Sequence, residues 1–398
     1  MINRNILILF FSQVLAFSTG SFLVLVVGIL APQLSPTQEL ATLPLALMAV
    51  SIALATIPAV MLMQRLGRKA GIILSYLAAI AGTASGFMAI RHSSFILLCL
   101  CTVLNGVFYA VANQFRFAAI ESAPDKTQTG QVVSFMLFGG VIAAFLGPQL
   151  ADWGKDLFEP AFSGSFTLLI AALVVSLIIF SRFRAAATVN VQVNTEPTRP
   201  LGEIMRQPLF IVAMTSGAVS FAVMSFLMTA TPISMHHIDG FSFEQSRQVI
   251  QWHIAAMYLP SVFSIFLFRF FSIAGLMLCG AIIYILLAIL ALQGHGFMHY
   301  SGALILLGVG WNFLFVSGTT LLPQCYRAGE SFKAQALNDF NVFGIQAVCS
   351  LSAGWVLFTL GWDAMVWMTL PASALMLALA IFYYLKNTSL TKAQSHKG

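Results

Sequence analysis

One apolar stretch of the sequence carries polar side chains at a spacing that suits ligand binding. Asn105, Tyr109, Asn113 and Arg116 stand at positions i, i+4, i+8 and i+11, which places them on one face of an α-helix. Asn and Tyr both donate and accept hydrogen bonds, and the Arg guanidinium attracts anions. The spacing predicts a face that binds a neutral heteroaromatic solute, with Arg116 either contacting the solute or pairing with Glu121.

Two further groups combine aromatic and polar side chains. Trp311 precedes Asn312, and Gln251 and Trp252 precede His253. An indole can stack on a planar solute while an amide binds its edge, and an imidazole can carry a proton near neutral pH. The alternatives are helix packing for the Trp-Asn pair and a hydrogen-bonded structural role for the histidine.

The elements that position these residues are predicted to lie in a lipid bilayer. The chain has 398 residues, of which 59% are hydrophobic and 8% are charged, whereas soluble proteins carry about 25% charged residues. A helix that crosses the hydrocarbon core needs roughly 20 apolar residues. Apolar windows of this kind predict twelve spans, near 6–31, 41–63, 70–90, 95–120, 131–151, 161–181, 208–232, 246–268, 272–293, 300–324, 335–359 and 364–385.

Positive charge is distributed unevenly between the two sides of these spans. If the N-terminus lies in the cytoplasm, 16 of the 19 Lys and Arg residues fall in cytoplasmic segments, as the positive-inside rule requires. Both termini are therefore predicted to be cytoplasmic. We interpret the net charge of +6 as a topology signal and expect no nucleic-acid partner.

An internal repeat divides the spans into two groups. Arg65 matches Arg269 and Gly140 matches Gly344, and other pairs share the same offset of 204 residues. Such a repeat predicts an all-α integral membrane protein with two pseudo-symmetric six-helix bundles. The predicted parts are a first bundle at 1–182, a cytoplasmic linker at 183–207, a second bundle at 208–386 and a cytoplasmic tail at 387–398.

Acidic residues are scarce in the apolar stretches. No Asp or Glu stands at the centre of a predicted span, whereas Glu121 ends the fourth span and Asp339 begins the eleventh. We expect these acids to form a cytoplasmic gate with basic residues of the loop between the second and third spans, which contains Arg65, Arg68 and Lys69. Proton coupling through an acid or through His253 is the alternative, and transport without coupling stays open.

That same loop, Gln64-Arg65-Leu66-Gly67-Arg68-Lys69, resembles the cytoplasmic motif of the major facilitator superfamily. The sequence departs from the motif twice: Gln64 stands where the family usually has Asp, and Val60 stands where it usually has Gly. The pattern Gly139-Gly140 with Gly147-Pro148 is similar to one found in exporters of that superfamily. The stretches 250–253, 310–313 and 333–340 resemble a bacterial permease subfamily that includes riboflavin transporters.

The resemblance implies a solute site near the bilayer midplane, between the two halves. In the family, the first, fourth, seventh and tenth helices line it. Trp311 and Asn312 would then share a cavity with the polar face of the fourth span, and we place Gln251 and Trp252 near it. Weaker candidates are Gln13, Ser18, Ser216 and Ser220.

The expected activity is transport of a small organic solute across the bacterial inner membrane by alternating access, with riboflavin as the specific hypothesis. Proton-coupled efflux of drugs or metabolites and a transport-inactive sensor with the same fold are the alternatives. The sequence contains no Gly-Lys-Ser/Thr phosphate loop and no hydrolase motif. We therefore expect a monomeric protein that is not an enzyme, has no cofactor or metal, and interacts with its solute and the lipid bilayer.

Overall fold

Long apolar runs become long helices in the computed structural model of the chain, which describes residues 3–115, 118–119, 122, 129–184, 199–263, 270–327 and 330–395. The described residues form an all-α structure without strands. The first half contains α1 (Arg4–Leu34), α2 (Leu43–Leu66), α3 (Arg68–Arg91), α4 (Phe95–Ala112), α5 (Thr129–Gly154) and α6 (Ser163–Ser181). The second half contains α7 (Pro208–Ile233), α8 (Phe243–Val262), α9 (Ile273–Ala291), α10 (Phe297–Leu321) and the final helix Ser331–Ser395.

The final helix contains a reversal. Gly361 has a φ of 83° and breaks the helical geometry within Ser331–Ser395, a conformation that glycine adopts readily. We therefore divide this helix into α11 (331–360) and α12 (362–395). The apolar segment Lys333–Leu385 is 53 residues long, more than twice the roughly 20 residues of one crossing, so a reversal at Gly361 fits two crossings.

The number of helices agrees with the sequence. Nine segments of the described chain are long and apolar enough to cross a membrane. Adding α5 and α8 and dividing the last segment at Gly361 gives twelve long helical segments. The all-α membrane fold is thereby confirmed, while twelve as the number of bilayer crossings and the bundle boundaries stay predictions.

Local sequence signals account for several helix ends. Ser94, Ser242 and Ser272 each cap the helix that follows by accepting a hydrogen bond from its first turn, as N-cap residues do. Ser242 and Gln245 complete a capping box at α8. Gly67 separates α2 from α3 with a φ of 83°, so the predicted loop is a two-helix turn that requires glycine.

The two halves pack against each other through matching helices. Helix α5 contacts α8, α2 contacts the final helix and α1 contacts α7, while α1–α5 and α7–α10 contacts lie within the halves. We call the face that carries Asn3, Lys69 and Ser181 the termini face, because α1 begins and the final helix ends there. The other end of the bundle is called the opposite face.

An ionic cluster joins three turns of the second half at the opposite face. His295 Nε2 lies 2.9 Å from Asp363 Oδ1, and His295 Nδ1 lies 3.6 Å from Asp239 Oδ1. The Tyr300 hydroxyl donates to Asp239 Oδ2 at 2.7 Å. The hydrogen bond with Asp363 raises the pKa of His295 above its ordinary value, the charges of both carboxylates add to this, and partial burial opposes it.

The cluster predicts a pH-dependent stability. Because the pKa of His295 is raised by folding, its contribution is fully present below the ordinary histidine pKa of about 6.5 and is lost as pH rises through the raised pKa. We expect the melting temperature of the detergent-solubilised protein to fall over this range, and His295→Gln to remove that part of the fall. His92→Gln, at an exposed position in the first half, is the control; identical pH profiles for both variants would contradict the prediction.

Candidate solute-binding cavity

A cavity of about 500 Å³ lies between the two halves. It is lined by α1, α2, α4 and α5 with their neighbouring residues from the first half, and by α7, α8, α10 and α11 from the second. Its volume falls in the range of roughly 300–1,000 Å³ that is usual for pockets of small organic ligands. The arrangement gives both halves a direct contact with any bound solute.

Aromatic side chains form a continuous band along the cavity wall. Phe17 stacks on Tyr109 with ring centroids 5.2 Å apart and packs against Tyr258 of the second half with ring centroids 6.4 Å apart. Tyr258 packs edge-on against Trp311 at 6.3 Å, and Trp311 stacks on Phe315 at 4.9 Å. We call the set the aromatic band; its members are Phe17, Tyr109, Phe221, Tyr258, Trp311, Phe315 and Phe343.

Among the described residues that line the cavity, three have a buried polar atom without a hydrogen-bond partner: Gln13 Oε1, Trp311 Nε1 and Gln346 Oε1. Gln13 is held in place because its Nε2 donates to the Met136 carbonyl oxygen at 2.9 Å. A buried polar atom that lacks a partner costs free energy. The cavity therefore combines aromatic surface with two acceptors and one donor that a solute can satisfy.

Several predicted site residues line this cavity. Tyr109, Asn113, Trp311 and Asn312 all do so, as does Asp339. Asn312 also connects two helices, since its Nδ2 donates to the Met257 carbonyl oxygen at 2.7 Å. The structure thus places Asn312 in both of the roles considered from sequence, next to the cavity and in helix packing.

Asn105 lies outside the lining, which corrects the expectation that the whole polar face of α4 points into the cavity. Its side chain is fully buried and donates to the Cys101 carbonyl oxygen at 2.9 Å, next to Gly82 of α3. Each step of four residues advances a helix by about 40° beyond one turn. Asn105 and Asn113 are therefore about 80° apart, and Asn105 faces the neighbouring helix.

The three consecutive residues of α8 also lie away from the cavity. The Trp252 side chain is 54% exposed on the outer surface, where it packs edge-on against Phe145. Gln251 lines a shallow outer hollow between α5 and α8. His253 is fully buried and its Nδ1 is bonded to the Leu304 carbonyl oxygen at 2.7 Å. The expectation that Gln251 and Trp252 lie near the solute is corrected, because the residues of α8 that line the cavity are Ile254, Met257, Tyr258 and Ser261. The burial and the hydrogen bond of His253 agree with the structural role considered for it.

The predicted gate residues are placed only in part. Arg116 and Glu121 lie outside the described residues. Lys69 Nζ donates to the Ser181 carbonyl oxygen at 2.6 Å, a contact within the first half, and Arg65 is exposed at the end of α2. Arg68 begins α3, and the Asp339 carboxylate accepts a hydrogen bond from Asn338. The gate itself stays a prediction.

The two halves are joined by side-chain contacts at the opposite face. Arg247 of α8 donates to Gln149 Oε1 of α5 at 2.7 Å and lies 4.0 Å from Asp152. His237, just after α7, donates through Nε2 to the Ile29 carbonyl oxygen at 2.9 Å. The Lys155 ammonium lies over a ring of the second half. These contacts close the cavity at the opposite face.

At the other end, the cavity reaches solvent-exposed residues. Thr319 and Thr320 line it near the end of α10, and both are exposed. Asp339, early in α11, lines the same end. The cavity therefore opens toward the termini face.

The contacts of Arg247 predict a measurable conformational effect. Arg247→Ala removes its hydrogen bond to Gln149, which contributes about 1 kcal/mol and so about fivefold in the balance between open and closed states. Spin labels at Ser93 and Met298, in a variant without the five native cysteines, should show a larger population at long distance.

Arg91→Ala provides the matched control for this experiment. The Arg91 guanidinium lies over the Phe87 ring within the first half, so its removal should leave the interhalf distances unchanged. An Arg247→Ala distribution that superimposes on the wild type would refute closure by this contact.

Some residues that line the cavity are not predictable from the sequence pattern. Phe17, Tyr258 and Gln346 line the cavity but stand in apolar surroundings without a distinctive spacing. Gln13 was only a weak candidate. One signal was available: Gln13 and Gln346 are glutamines within apolar helices, where an uncompensated amide is costly.

Two halves of long apolar helices around a central cavity are the architecture of a solute transporter. The family pattern of the Major Facilitator Superfamily matches residues 9–340, and the chain belongs to this superfamily. It is 36% identical over 384 residues to the Riboflavin transporter RfnT of Brucella anthropi, covering 94% of each chain. It is also 27% identical over 353 residues to the Uncharacterized MFS-type transporter YddS of Bacillus subtilis, covering 84% of this chain and 80% of that protein.

Proposed function

We propose that the protein transports riboflavin, without changing it chemically, across the inner membrane of a bacterium. The observation that supports this most directly is the 36% identity over 94% of the chain to a protein named as a riboflavin transporter. Membership of the superfamily supports the general transport role. The cavity supplies a physical basis for the choice of solute.

A flavin matches the chemistry of this cavity. The isoalloxazine ring is planar and aromatic, so it can stack on or pack edge-on against the aromatic band. Its polar edge carries carbonyl oxygens and an N–H group, and its ribityl chain carries hydroxyls. The unpartnered atoms of Gln13, Trp311 and Gln346 offer hydrogen-bond partners for these groups.

The two ends of the cavity support a mechanism of alternating access. The contacts of Arg247 and His237 close the opposite face, while the cavity reaches exposed threonines toward the termini face. With both termini in the cytoplasm, as the distribution of 16 of 19 basic residues supports, this is an inward-open state. Breaking the contacts at the opposite face and closing the termini face would give the outward-open state.

A riboflavin auxotroph without its own transporter provides the test. Cells that produce the protein should accumulate labelled riboflavin above an empty-vector control and grow at micromolar vitamin. Absence of accumulation by a protein present at normal membrane levels would refute uptake. Faster loss of riboflavin from preloaded cells would instead support the efflux alternative.

A further inference from the structure

The cavity has unpartnered polar atoms on both halves. Gln13 Oε1 belongs to α1, in the first half, and Gln346 Oε1 belongs to α11, in the second. Gln13 is 3% exposed and Trp311 is 5% exposed, so water does not readily serve these side chains. Several other polar residues of the lining have partners: Ser21 Oγ donates to the Ala143 carbonyl oxygen, for example.

This difference separates the two glutamines from polar residues of the same helices such as Ser18 and Ser21. A serine in such a helix satisfies its hydroxyl with a nearby backbone carbonyl, as Ser18 does with Val14. A glutamine oxygen can only accept, and it needs an N–H or O–H donor. In this state, no described protein group supplies that donor to Gln13 or Gln346.

We propose that Gln13 and Gln346 determine the specificity of the site by accepting hydrogen bonds from two separate donors of the solute. This inference rests on the proposed function. For riboflavin, one donor is the imide N–H of the ring and the other is a ribityl hydroxyl. Trp311 Nε1 donates to a carbonyl oxygen beside the imide. The site thereby selects a solute with a donor flanked by acceptors at one end and hydroxyls at the other.

The location of these residues also ties recognition to conformational change. A solute that bonds to α1 and to α11 at once connects the two halves. A conformation that brings the halves closer around the solute is then favoured over one that leaves either glutamine unsatisfied. A solute that lacks one donor would stabilise the closed conformation less.

Binding of three flavins to the purified full-length protein tests the proposal. The probes are riboflavin, 3-methylriboflavin, in which the imide N–H is lost, and lumiflavin, which lacks the ribityl hydroxyls. We expect the wild type to bind riboflavin at least about tenfold more tightly than either analogue, because each analogue leaves one buried acceptor unpaired. Each analogue defines an affinity ratio, its Kd divided by the Kd of riboflavin. In Gln13→Leu one of these two ratios should fall toward one, and in Gln346→Leu the other ratio should do so.

Two further variants guard against loss of folding. Gln13→Asn and Gln346→Asn retain an amide oxygen and an amide N–H and should retain more discrimination than the leucine variants, and Gln293→Leu, at an exposed position after α9, should leave both ratios unchanged. A wild type that binds no flavin would overturn the proposed function, and this inference with it. A wild type that binds riboflavin, with both ratios unaltered in both leucine variants, would overturn the inference alone.

Discussion

Trp311→Ala should lower riboflavin uptake by about 100-fold while leaving the protein folded in the membrane. Trp311 lies at the centre of the aromatic band, with Tyr258, Phe221 and Phe315 within 6.3 Å of its ring. A bound planar ring would bury one face against the indole. Loss of this apolar contact weakens solute binding by about 3 kcal/mol. Initial rates of labelled riboflavin uptake, normalised to protein in the membrane, measure the effect.

Two matched variants identify the cause of that loss. Trp311→Phe retains an aromatic ring and removes only the Nε1 donor, so we expect a reduction of about tenfold. Trp252→Ala removes an indole that is 54% exposed outside the cavity, and uptake should stay near the wild-type rate. Normal uptake by Trp311→Ala, or an equal loss in Trp252→Ala, would exclude Trp311 from the solute site.

The fold was predictable because its main determinants are local in sequence. Runs of about 20 apolar residues become helices in a bilayer regardless of their neighbours, and Gly67 marks the turn between α2 and α3. The reversal at Gly361 falls between the predicted eleventh and twelfth spans. The boundaries are less regular: α1 ends at Leu34 and α4 at Ala112, because tertiary contacts decide where a helix stops.

The site was predictable only where a polar residue stands out from apolar surroundings. Tyr109 and Asn113 were found in this way, and both line the cavity. Asn105 faces the neighbouring helix instead, because a stripe of residues four apart winds around the helix by about 40° at each step. Phe17 and Tyr258 were missed, since an aromatic residue in a membrane helix is equally suited to lipid, core and cavity. Sequence periodicity does not distinguish these three environments.

The distribution of contacts explains how the closed end could open. At the opposite face, the halves are joined by individual polar bonds such as Arg247 to Gln149. Each such bond contributes about 1 kcal/mol, which a solute can offset through its own contacts. Within the first half, backbones also approach closely: Gly147 of α5 lies against α1 where Ser18 and Ser21 fill the space of any side chain.

Gly147→Ala should destabilise the first half by about 3 kcal/mol, the upper range for overpacking a core. A Cβ at this position would overlap Ser21 Oγ and the Ser18 carbonyl oxygen and would lie 2.9 Å from the Phe22 backbone nitrogen. Two of these three atoms belong to the α1 backbone, so relief requires the helices to separate. A lower melting temperature in detergent and a lower amount of protein in the membrane are the expected results.

Gly344→Ala is the matched control, because Gly344 lies in the interior of the final helix and, among the described residues, no atom outside its own helical turns lies within 4 Å of its Cβ position. Replacing a helical glycine by alanine without a clash removes the conformational cost of glycine, and we expect a gain of up to about 1 kcal/mol. Opposite signs for the two variants would show that close packing of α1 on α5, not glycine content, holds the half together. Equal melting temperatures for the two alanine variants would refute this, because the loss of stability at Gly147 depends on a close backbone contact that Gly344 does not have.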